Sequence, residues 1–185
     1  LFYTQQATGK ALRHKVRFRV YENTGTSFLE VKRKTPRGKT LKYRIRHAWE
    51  DPLEIGKAAE FLHSYVPQEA GRLLPMLTNR FSRITLVNLE SGERVTIDHD
   101  VSFHDGTGNS LSLPWLAIAE LKREGHGSHS WFAGYMKQNR IRPSGFSKYC
   151  IGSTLIRNMP KRGAFKPQVN HLNRIKYEFH NLARR

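Results

Sequence analysis

The sequence predicts an α+β fold built on antiparallel strands with flanking helices. Residues 14–46 contain three segments in which charged and apolar side chains alternate, and turn sequences separate these segments. Residues 51–65 then change to the spacing of a helix, and strand-like segments return between 80 and 122. Because consecutive strands joined by short turns usually pair antiparallel, we expect the first three to form a meander.

Each of these three strands has one charged face and one mainly apolar face. In residues 14–21, Val16, Phe18 and Val20 alternate with cations, and Leu29 and Val31 alternate in the same way within 27–35. Turns are predicted at 22–26 and 36–39. The charged faces hold Lys15, Arg17 and Arg19 in the first strand, Glu30, Lys32 and Lys34 in the second, and Lys42, Arg44 and Arg46 in the third.

The segments around this meander carry weaker signals. Residues 1–4 (LFYT) have the composition of the end of a strand, and we expect the natural N-terminus to lie upstream. Asp51 is the predicted N-cap of the helix over 51–65, with Pro52 at its first position. A second short helix is predicted within 67–77.

The second half of the chain predicts a hairpin, a further strand and several helices. Strands are expected at 80–89 and 93–103, joined by a turn at 90–92. Residues 104–112 form a polar, glycine-rich loop in this interpretation, and 114–122 form another strand. Helices are expected at 129–139 and 147–158. The segment 166–185 is predicted to be a basic tail or a helix.

The charge of the chain calls for an anionic partner. Lys and Arg number 32 against 15 Asp and Glu, which gives a formal net charge of +17. Nucleic acid, an anionic membrane surface or a polyphosphate would supply the missing negative charge. The one cysteine, Cys150, excludes an intramolecular disulfide framework and favours a reducing, cytoplasmic compartment. No run of 18 apolar residues is present to span a membrane.

The repetition of cations on alternating strand positions points to a phosphate-binding face. A single such strand is usually a solvated face, but a whole sheet of them repels itself unless an anion lies against it. Arg supplies forked donors to phosphate oxygens, and Lys supplies compact charges. If the sheet closes into a barrel, this face can line a channel. Arg83, Arg94, Glu120 and Lys122 extend the pattern into the later strands.

Two carboxylates interrupt these rows of cations. Glu30 precedes Lys32, and Glu120 precedes Lys122, each by two positions. Either carboxylate could hold Mg²⁺ or Mn²⁺, which prefer hard oxygen ligands and would bridge carboxylate and phosphate. The alternative for each is a structural salt bridge with a neighbouring strand. The sequence leaves both readings open.

Five motifs occur along the chain in a fixed order: KVRFRVY at 15–21, FLEVKRK at 28–34, RVTID at 94–98, AELK at 119–122 and GFSKYCIG at 145–152. Together they resemble one known family. That family is the VTC domain (vacuolar transporter chaperone, polyphosphate polymerase domain) in its bacterial form, which is similar to the triphosphate tunnel metalloenzymes. The resemblance covers residues 1–165, nearly the whole chain.

The resemblance implies a tunnel-shaped antiparallel barrel that transfers the terminal phosphoryl group of ATP onto polyphosphate. It implies that Glu120 binds Mn²⁺ or Mg²⁺; Glu30 is a second candidate metal ligand on the residue pattern alone. The implied catalytic phosphate ligands are Arg17, Arg19, Lys32, Arg83 and Lys148. The alternating strand pattern, rather than the resemblance, adds the further phosphate-binding candidates Lys15, Lys34, Lys42, Arg44, Arg94 and Lys122.

The chain also departs from the family pattern. The family's N-terminal strand, which carries its own Glu and Lys, is absent from this sequence. Phe81 stands where Tyr is common and lacks the hydroxyl donor, and Gly145 stands where some members have Lys. These departures leave the catalytic activity open even if the fold is the same.

Several functions remain open on the sequence alone. An inorganic triphosphatase of the same fold and a non-catalytic polyphosphate binder would use the same cations. A nucleic-acid-binding module is disfavoured, because the cations lie on strands and no aromatic nucleic-acid motif accompanies them. The expected partners are ATP, triphosphate or polyphosphate. A membrane could be reached through partner proteins or the basic tail.

Overall fold

A computed structural model describes residues 2–123 and 130–183 of the chain. The chain divides into two compact units, residues 1–75 and 76–185, and each is described by itself. Both units combine helices with antiparallel sheets, which confirms the predicted α+β class. Among the described residues, no helix is both long enough and apolar enough to cross a membrane.

The first unit contains a three-stranded antiparallel meander, as predicted. Its strands are β1 (Arg13–Tyr21), β2 (Thr26–Lys34) and β3 (Thr40–Arg46), with β2 in the middle. A short helix α1 (Phe2–Ala7) precedes the sheet, and α2 (Gly56–Tyr65) follows it. Gly25 and Gly38 lie in the two connecting turns with φ of 60° and 79°, a conformation that glycine adopts without strain.

The apolar face of this sheet packs against α2. Leu29 and Val31 of β2 are fully buried and form one cluster with Ala58, Leu62 and Val66. Side chains from β1 and β3 extend the cluster, because strand alternation places them on the same face. Burial of each large apolar side chain contributes about 1.5–3 kcal/mol, so the core fixes which face of the sheet stays accessible.

Two predictions for the first unit are wrong, and a third is confirmed only as a short 3₁₀ helix. Residues 2–7 form a helix rather than the end of a strand; Leu1 lies outside the described residues. Tyr3 of this helix is buried, and such a tertiary contact cannot be recognised from four residues of sequence. The helix predicted from Asp51 begins at Gly56, whose φ of 58° cannot continue a right-handed helix from the preceding turn. Within 67–77 only a single 3₁₀ turn forms, at Ala70–Arg72, and the backbone is extended from Leu73.

The second unit is organised around one long strand, β5 (Arg94–His104). Strand β4 (Thr78–Val87) pairs with one edge of β5, while β6 (Ser110–Leu113) and β7 (Ile118–Lys122) pair with successive parts of the other edge. All these pairings are antiparallel. Helices α3 (Trp131–Gln138), α4 (Lys148–Ile156) and α5 (Lys166–Leu182) follow, with a 3₁₀ turn at Arg162–Phe165.

Helix α4 packs closely against the sheet at Gly152. A methyl group at this position would lie 2.6 Å from Phe103 Cε1 and 2.9 Å from Leu77 Cδ2, so only glycine allows this approach. Ser147 is the N-cap of this helix, and its hydroxyl accepts a hydrogen bond from the Cys150 amide at 3.4 Å. Cys150 is buried, as expected of a structural thiol.

The predicted elements of the second unit are mostly confirmed. The structure contains the hairpin formed by β4 and β5, helices at 131–138 and 148–156, and a C-terminal helix. Residue 129 and residues 184–185 of the predicted helices lie outside the described part. Two predictions are wrong: β6 lies in the segment predicted as loop, and the strand predicted from Pro114 begins at Ile118. Asp105 explains β6, because its carboxylate accepts hydrogen bonds from Thr107 and Asn109 and folds the chain back.

The predicted tunnel barrel is not observed as a closed structure. The strands in residues 2–123 and 130–183 form one sheet of three strands and one of four, and neither closes on itself. The structure therefore establishes two antiparallel sheets, each with one face bearing the predicted cations.

Candidate phosphate-binding site

The first candidate site is the charged face of the β1–β2–β3 sheet, which we call the basic face. The register places Lys15 opposite Lys32 and Lys32 opposite Lys42, so the three side chains leave the sheet on the same side. The basic face holds nine cations: Arg13, Lys15, Arg17, Arg19, Lys32, Lys34, Lys42, Arg44 and Arg46. Every cation predicted from the first three strands lies on it, together with Glu30.

Glu30 is the buried counter-ion of the basic face. Arg17 donates from Nε to Oε2 at 2.7 Å, and its Nη2 forms an ion pair with the same oxygen at 2.6 Å. Lys42 Nζ lies 2.8 Å from Oε1. The Lys42 contact is an ion pair without the alignment of a hydrogen bond. Burial acts to raise the pKa of Glu30, but Lys42 and Arg17 outweigh it and hold that pKa below its ordinary value.

Lys32 is the cation whose protonation is most affected by its surroundings. Burial, followed by the charges of Arg17, Lys42 and Arg19, lowers the pKa of Lys32 to about 8, although Glu30 acts in the opposite direction. No ion-pair partner of Lys32 is found among the residues described. An anion bound beside it would favour the charged ammonium and restore the higher pKa.

Two aromatic rings support arginines of the basic face. The Arg19 guanidinium lies 5.6 Å from the Tyr21 ring centroid and donates from Nη1 to the Tyr21 hydroxyl at 2.9 Å. The Arg44 guanidinium lies 4.8 Å from the Phe28 centroid. Such cation–π contacts limit the orientations of the guanidinium groups before any ligand arrives.

The second candidate site lies in the second unit and is centred on Asp98 of β5. Arg83 of β4 donates through Nε to Oδ1 at 2.5 Å and through Nη2 to Oδ2 at 2.7 Å. Lys148, the first residue of α4, also donates to Oδ2. We call Asp98, Arg83 and Lys148 the Asp98 cluster. The Asp98 side chain is only 4% exposed, so both cations meet at a buried carboxylate.

Phe81 forms the floor of this cluster. Its ring centroid lies 5.2 Å from the Arg83 guanidinium and 4.3 Å from Lys148 Nζ. The register of β4 against β5 shifts between the pairs Arg80–Ser102 and Ser82–His99, so β5 carries one extra residue opposite Phe81, which is a β-bulge. Bulges re-aim side chains, and this one accompanies the contact of the Phe81 ring with both cations.

The charges of the Asp98 cluster depend on one another. Burial would raise the pKa of Asp98, but the hydrogen bonds from Arg83 and Lys148 lower it overall. Burial lowers the pKa of Lys148 in spite of its contact with Asp98, while the Glu120 charge acts to raise it. The cluster thus places two cations and one carboxylate where water screens them only partly.

The remaining predicted residues lie on the same face of the β4–β5–β7 sheet. The register pairs Arg94 with Lys122 and Thr96 with Glu120. Glu120 contacts Lys122 at 3.3 Å, and both side chains are more than half exposed, so this pair contributes little to stability. Thr96 is 7% exposed, and its hydroxyl has no hydrogen-bond partner within the residues described.

The structure thus brings the predicted residues together in two groups. One group surrounds Glu30 in the first unit; in the other, Arg83 and Lys148 meet at Asp98, with Glu120 on the same sheet. Whether the two groups share one cavity stays a prediction. The sequence analysis did not identify Asp98 as the centre of the second group. A signal was present, because Asp98 shares one face of its strand with Arg94 and Thr96, just as Glu30 shares a face with the cations of β2.

The metal roles of Glu30 and Glu120 also stay predictions. No group of three or more His, Cys, Asp or Glu side chains suited to a metal ion occurs within 2–123 and 130–183. Both oxygens of Glu30 contact cations, whereas Glu120 is exposed and has a single cation beside it. Glu120 is therefore the better suited of the two to meet a metal ion that arrives with phosphate.

Comparison with known proteins agrees with the resemblance found in the motifs. No curated protein and no solved structure gives a significant match to the chain. The family model described as VTC domain matches residues 1–157, which include both the basic face and the Asp98 cluster. Since this match covers most of the 185 residues, the chain belongs to the VTC domain family.

Proposed function

We propose that this VTC domain binds ATP, triphosphate or polyphosphate and transfers phosphoryl groups with the help of a divalent metal ion. The observation that carries the proposal is the basic face, which sets nine cations around one buried carboxylate. Such a face retains a large excess of positive charge after Glu30 is counted. A linear polyanion neutralises it more completely than small counter-ions can.

The geometry of the basic face suits a chain of phosphates. Successive same-face residues on a strand are about 6.6 Å apart and neighbouring strands about 4.8 Å apart, so cations recur in two directions. Arginines offer forked donors and lysines offer point charges within this grid. Arg17 and Lys42 are 39% and 38% exposed, which leaves them accessible while partly removed from water.

The tunnel barrel belongs to this proposal. In a closed barrel the basic face would point into the lumen, and its cations would hold successive phosphates. Low dielectric in such a lumen would strengthen each contact between a cation and a phosphate. The VTC family assignment supports this arrangement.

The residues of the Asp98 cluster suit the terminal phosphoryl group. Phosphoryl transfer needs little covalent work from a protein; it needs positioning and the neutralisation of developing charge. Arg83 and Lys148 would supply that charge from fixed positions. In the first unit, Arg17, Arg19 and Lys32 of the basic face would hold phosphates along a chain. This role of the cluster needs no covalent intermediate on the protein.

A single carboxylate with phosphate oxygens is a common way to hold Mg²⁺ in phosphoryl-transfer sites. Glu120 fits this mode, because it is exposed, lies on the cationic face and has few competing contacts. When bound, Mn²⁺ or Mg²⁺ would neutralise phosphate charge. Glu30 could bind the metal ion as well only if it gave up its contacts with Arg17 and Lys42.

The test is incubation of the purified chain with ATP and Mn²⁺, followed by separation of the products by chain length. A ladder of polyphosphates supports the polymerase. Orthophosphate without a ladder supports the triphosphatase of the same fold. Neither product, together with no measurable binding of tripolyphosphate, would refute the proposal.

Glu120→Ala separates an enzyme from a binder. An enzyme should lose turnover while keeping most of its affinity for tripolyphosphate, whereas a non-catalytic binder has no turnover to lose. Glu90→Ala, which removes an exposed carboxylate from the turn between β4 and β5, is the matched control for loss of an acidic side chain. Competition by duplex and single-stranded nucleic acid across a salt series tests the nucleic-acid alternative, which predicts displacement of tripolyphosphate and a steep salt dependence.

A further inference from the structure

Asp98 presents a contradiction within a site proposed to bind anions. A carboxylate repels phosphate, yet this one is buried beside Arg83 and Lys148 on the central strand. Burial of a carboxylate is costly unless it is paired and hydrogen-bonded. Three donor nitrogens from two cations meet that requirement here.

The contacts show what the carboxylate does to the two cations. Arg83 Nη2 and Lys148 both donate to Oδ2, so two nitrogens from different elements converge on one oxygen atom. Arg83 also donates from Nε to Oδ1, which fixes the plane of the guanidinium. Donors that share one carboxylate oxygen are close enough together to share one phosphate.

Without the Asp98 carboxylate, the positive charges of Arg83 and Lys148 would repel each other. The Arg83 charge acts to lower the pKa of Lys148, whereas Asp98 acts to raise it. Lys148 is 19% exposed and Arg83 is 31% exposed, so water screens their repulsion only in part. The Phe81 ring lies close to both side chains and limits how far Arg83 and Lys148 can move apart.

We propose that Asp98 is a positioning residue that holds Arg83 and Lys148 together for one phosphate group. It acts through the two cations and need not touch the ligand itself. The inference rests on the proposed function, since it names how that site grips phosphate. Preorganised charges of this kind bind without the cost of assembling them when the ligand arrives.

The proposal predicts a result opposite in sign to that of simple electrostatics. Asp98→Asn removes one negative charge from a site for anions, so charge alone predicts tighter binding of tripolyphosphate. Positioning predicts weaker binding, by about tenfold, because a hydrogen bond to a charged group is lost for each cation. Isothermal titration calorimetry with tripolyphosphate at fixed ionic strength measures the difference.

Asp100→Asn is the matched control. Asp100 lies on β5 two residues beyond Asp98, is 67% exposed and contacts His99 at 2.7 Å. Its φ of 53° is a conformation that Asn also tolerates. The control makes the same change in net charge and should leave binding unchanged or slightly stronger. Tighter binding by both variants would overturn the positioning role.

Asp98→Glu keeps the charge and moves it by one methylene group. Positioning predicts affinity between that of the natural protein and that of Asp98→Asn. Circular dichroism establishes that each variant is folded. If Asp98→Asn does not fold, the comparison rests on Asp98→Glu, and affinity equal to that of the natural protein would then overturn the inference.

A measurement without ligand separates this inference from the proposed function. The Lys148 amine can be titrated by NMR of ¹³C-labelled lysine, with Lys148→Arg used to assign its signal. Asp98→Asn should lower the pKa of Lys148, and Asp100→Asn should not. If this shift occurs but the natural protein does not bind tripolyphosphate, the proposed function fails while the hold of Asp98 on Lys148 stands. An unchanged Lys148 titration overturns the inference whatever the binding shows.

Discussion

Lys32 should make the affinity of the chain for tripolyphosphate fall as pH rises above about 8. The pKa of Lys32 is lowered to about 8 because the side chain is partly buried and surrounded by Arg17, Arg19 and Lys42, with Glu30 as the one opposing charge. A bound phosphate would favour the ammonium form and raise that pKa. The affinity for tripolyphosphate is therefore highest below about pH 8, where the Lys32 amine is already charged before the ligand binds.

The size of the effect follows from the gap between the two pKa values. Each whole step of pKa corresponds to a tenfold change in relative affinity. Full recovery from about 8 to the ordinary 10.5 would therefore correspond to about 300-fold. Because Lys32 remains partly exposed and water screens its charge, we expect about a tenfold loss between about pH 7 and about pH 10.

The assay is calorimetric titration with tripolyphosphate across that range, with Lys32→Arg as the control. Arginine stays charged throughout, so the variant reports every other group that titrates, including Lys148 and the ligand. The difference between the two proteins isolates Lys32. Parallel pH profiles in the natural protein and Lys32→Arg would refute the reasoning.

Three further predictions concern stability. Gly152→Ala should destabilise the fold by about 1–3 kcal/mol in chemical denaturation, because the new methyl overlaps Phe103; Gly145→Ala, where a methyl meets nothing within 4 Å, should change stability far less. Glu30→Gln should cost about 1–2 kcal/mol at neutral pH. That loss should shrink in acid, since the pKa of Glu30 is lowered and its contribution disappears as pH falls through its folded-state value. Asp105→Ala should lower the melting temperature and speed amide exchange at 107 and 109, which donate to its carboxylate; unchanged exchange there would contradict its role in the turn.

The faces of the first sheet could be predicted from the sequence because strand alternation is a local property. Once 14–46 is recognised as three strands, a period of two assigns Lys15, Arg17 and Glu30 to one side without knowledge of the partners. The register then followed the predicted turns. The same local rule recovered the hairpin of β4 and β5.

Features that depend on distant contacts could not be predicted in this way. Asp98 and Lys148 are separated by 50 positions, and only the docking of α4 on the sheet brings them together. The start of α2 depended on the positive φ of Gly56, which sequence spacing does not reveal. Strand β6 depended on a turn organised by the Asp105 side chain within a segment whose composition is that of a loop.

The central position of β5 has a consequence for local opening. Asp98 lies on a strand paired along both edges, whereas Arg83 lies on β4, an edge strand of the described sheet. Edge strands open more readily than central ones, so Arg83 should leave the Asp98 cluster by fraying of β4 while Asp98 stays in place. A phosphate that bridges Arg83 and Lys148 would oppose that fraying. Ligand binding should therefore slow hydrogen exchange in β4 and leave β5, already protected, almost unchanged.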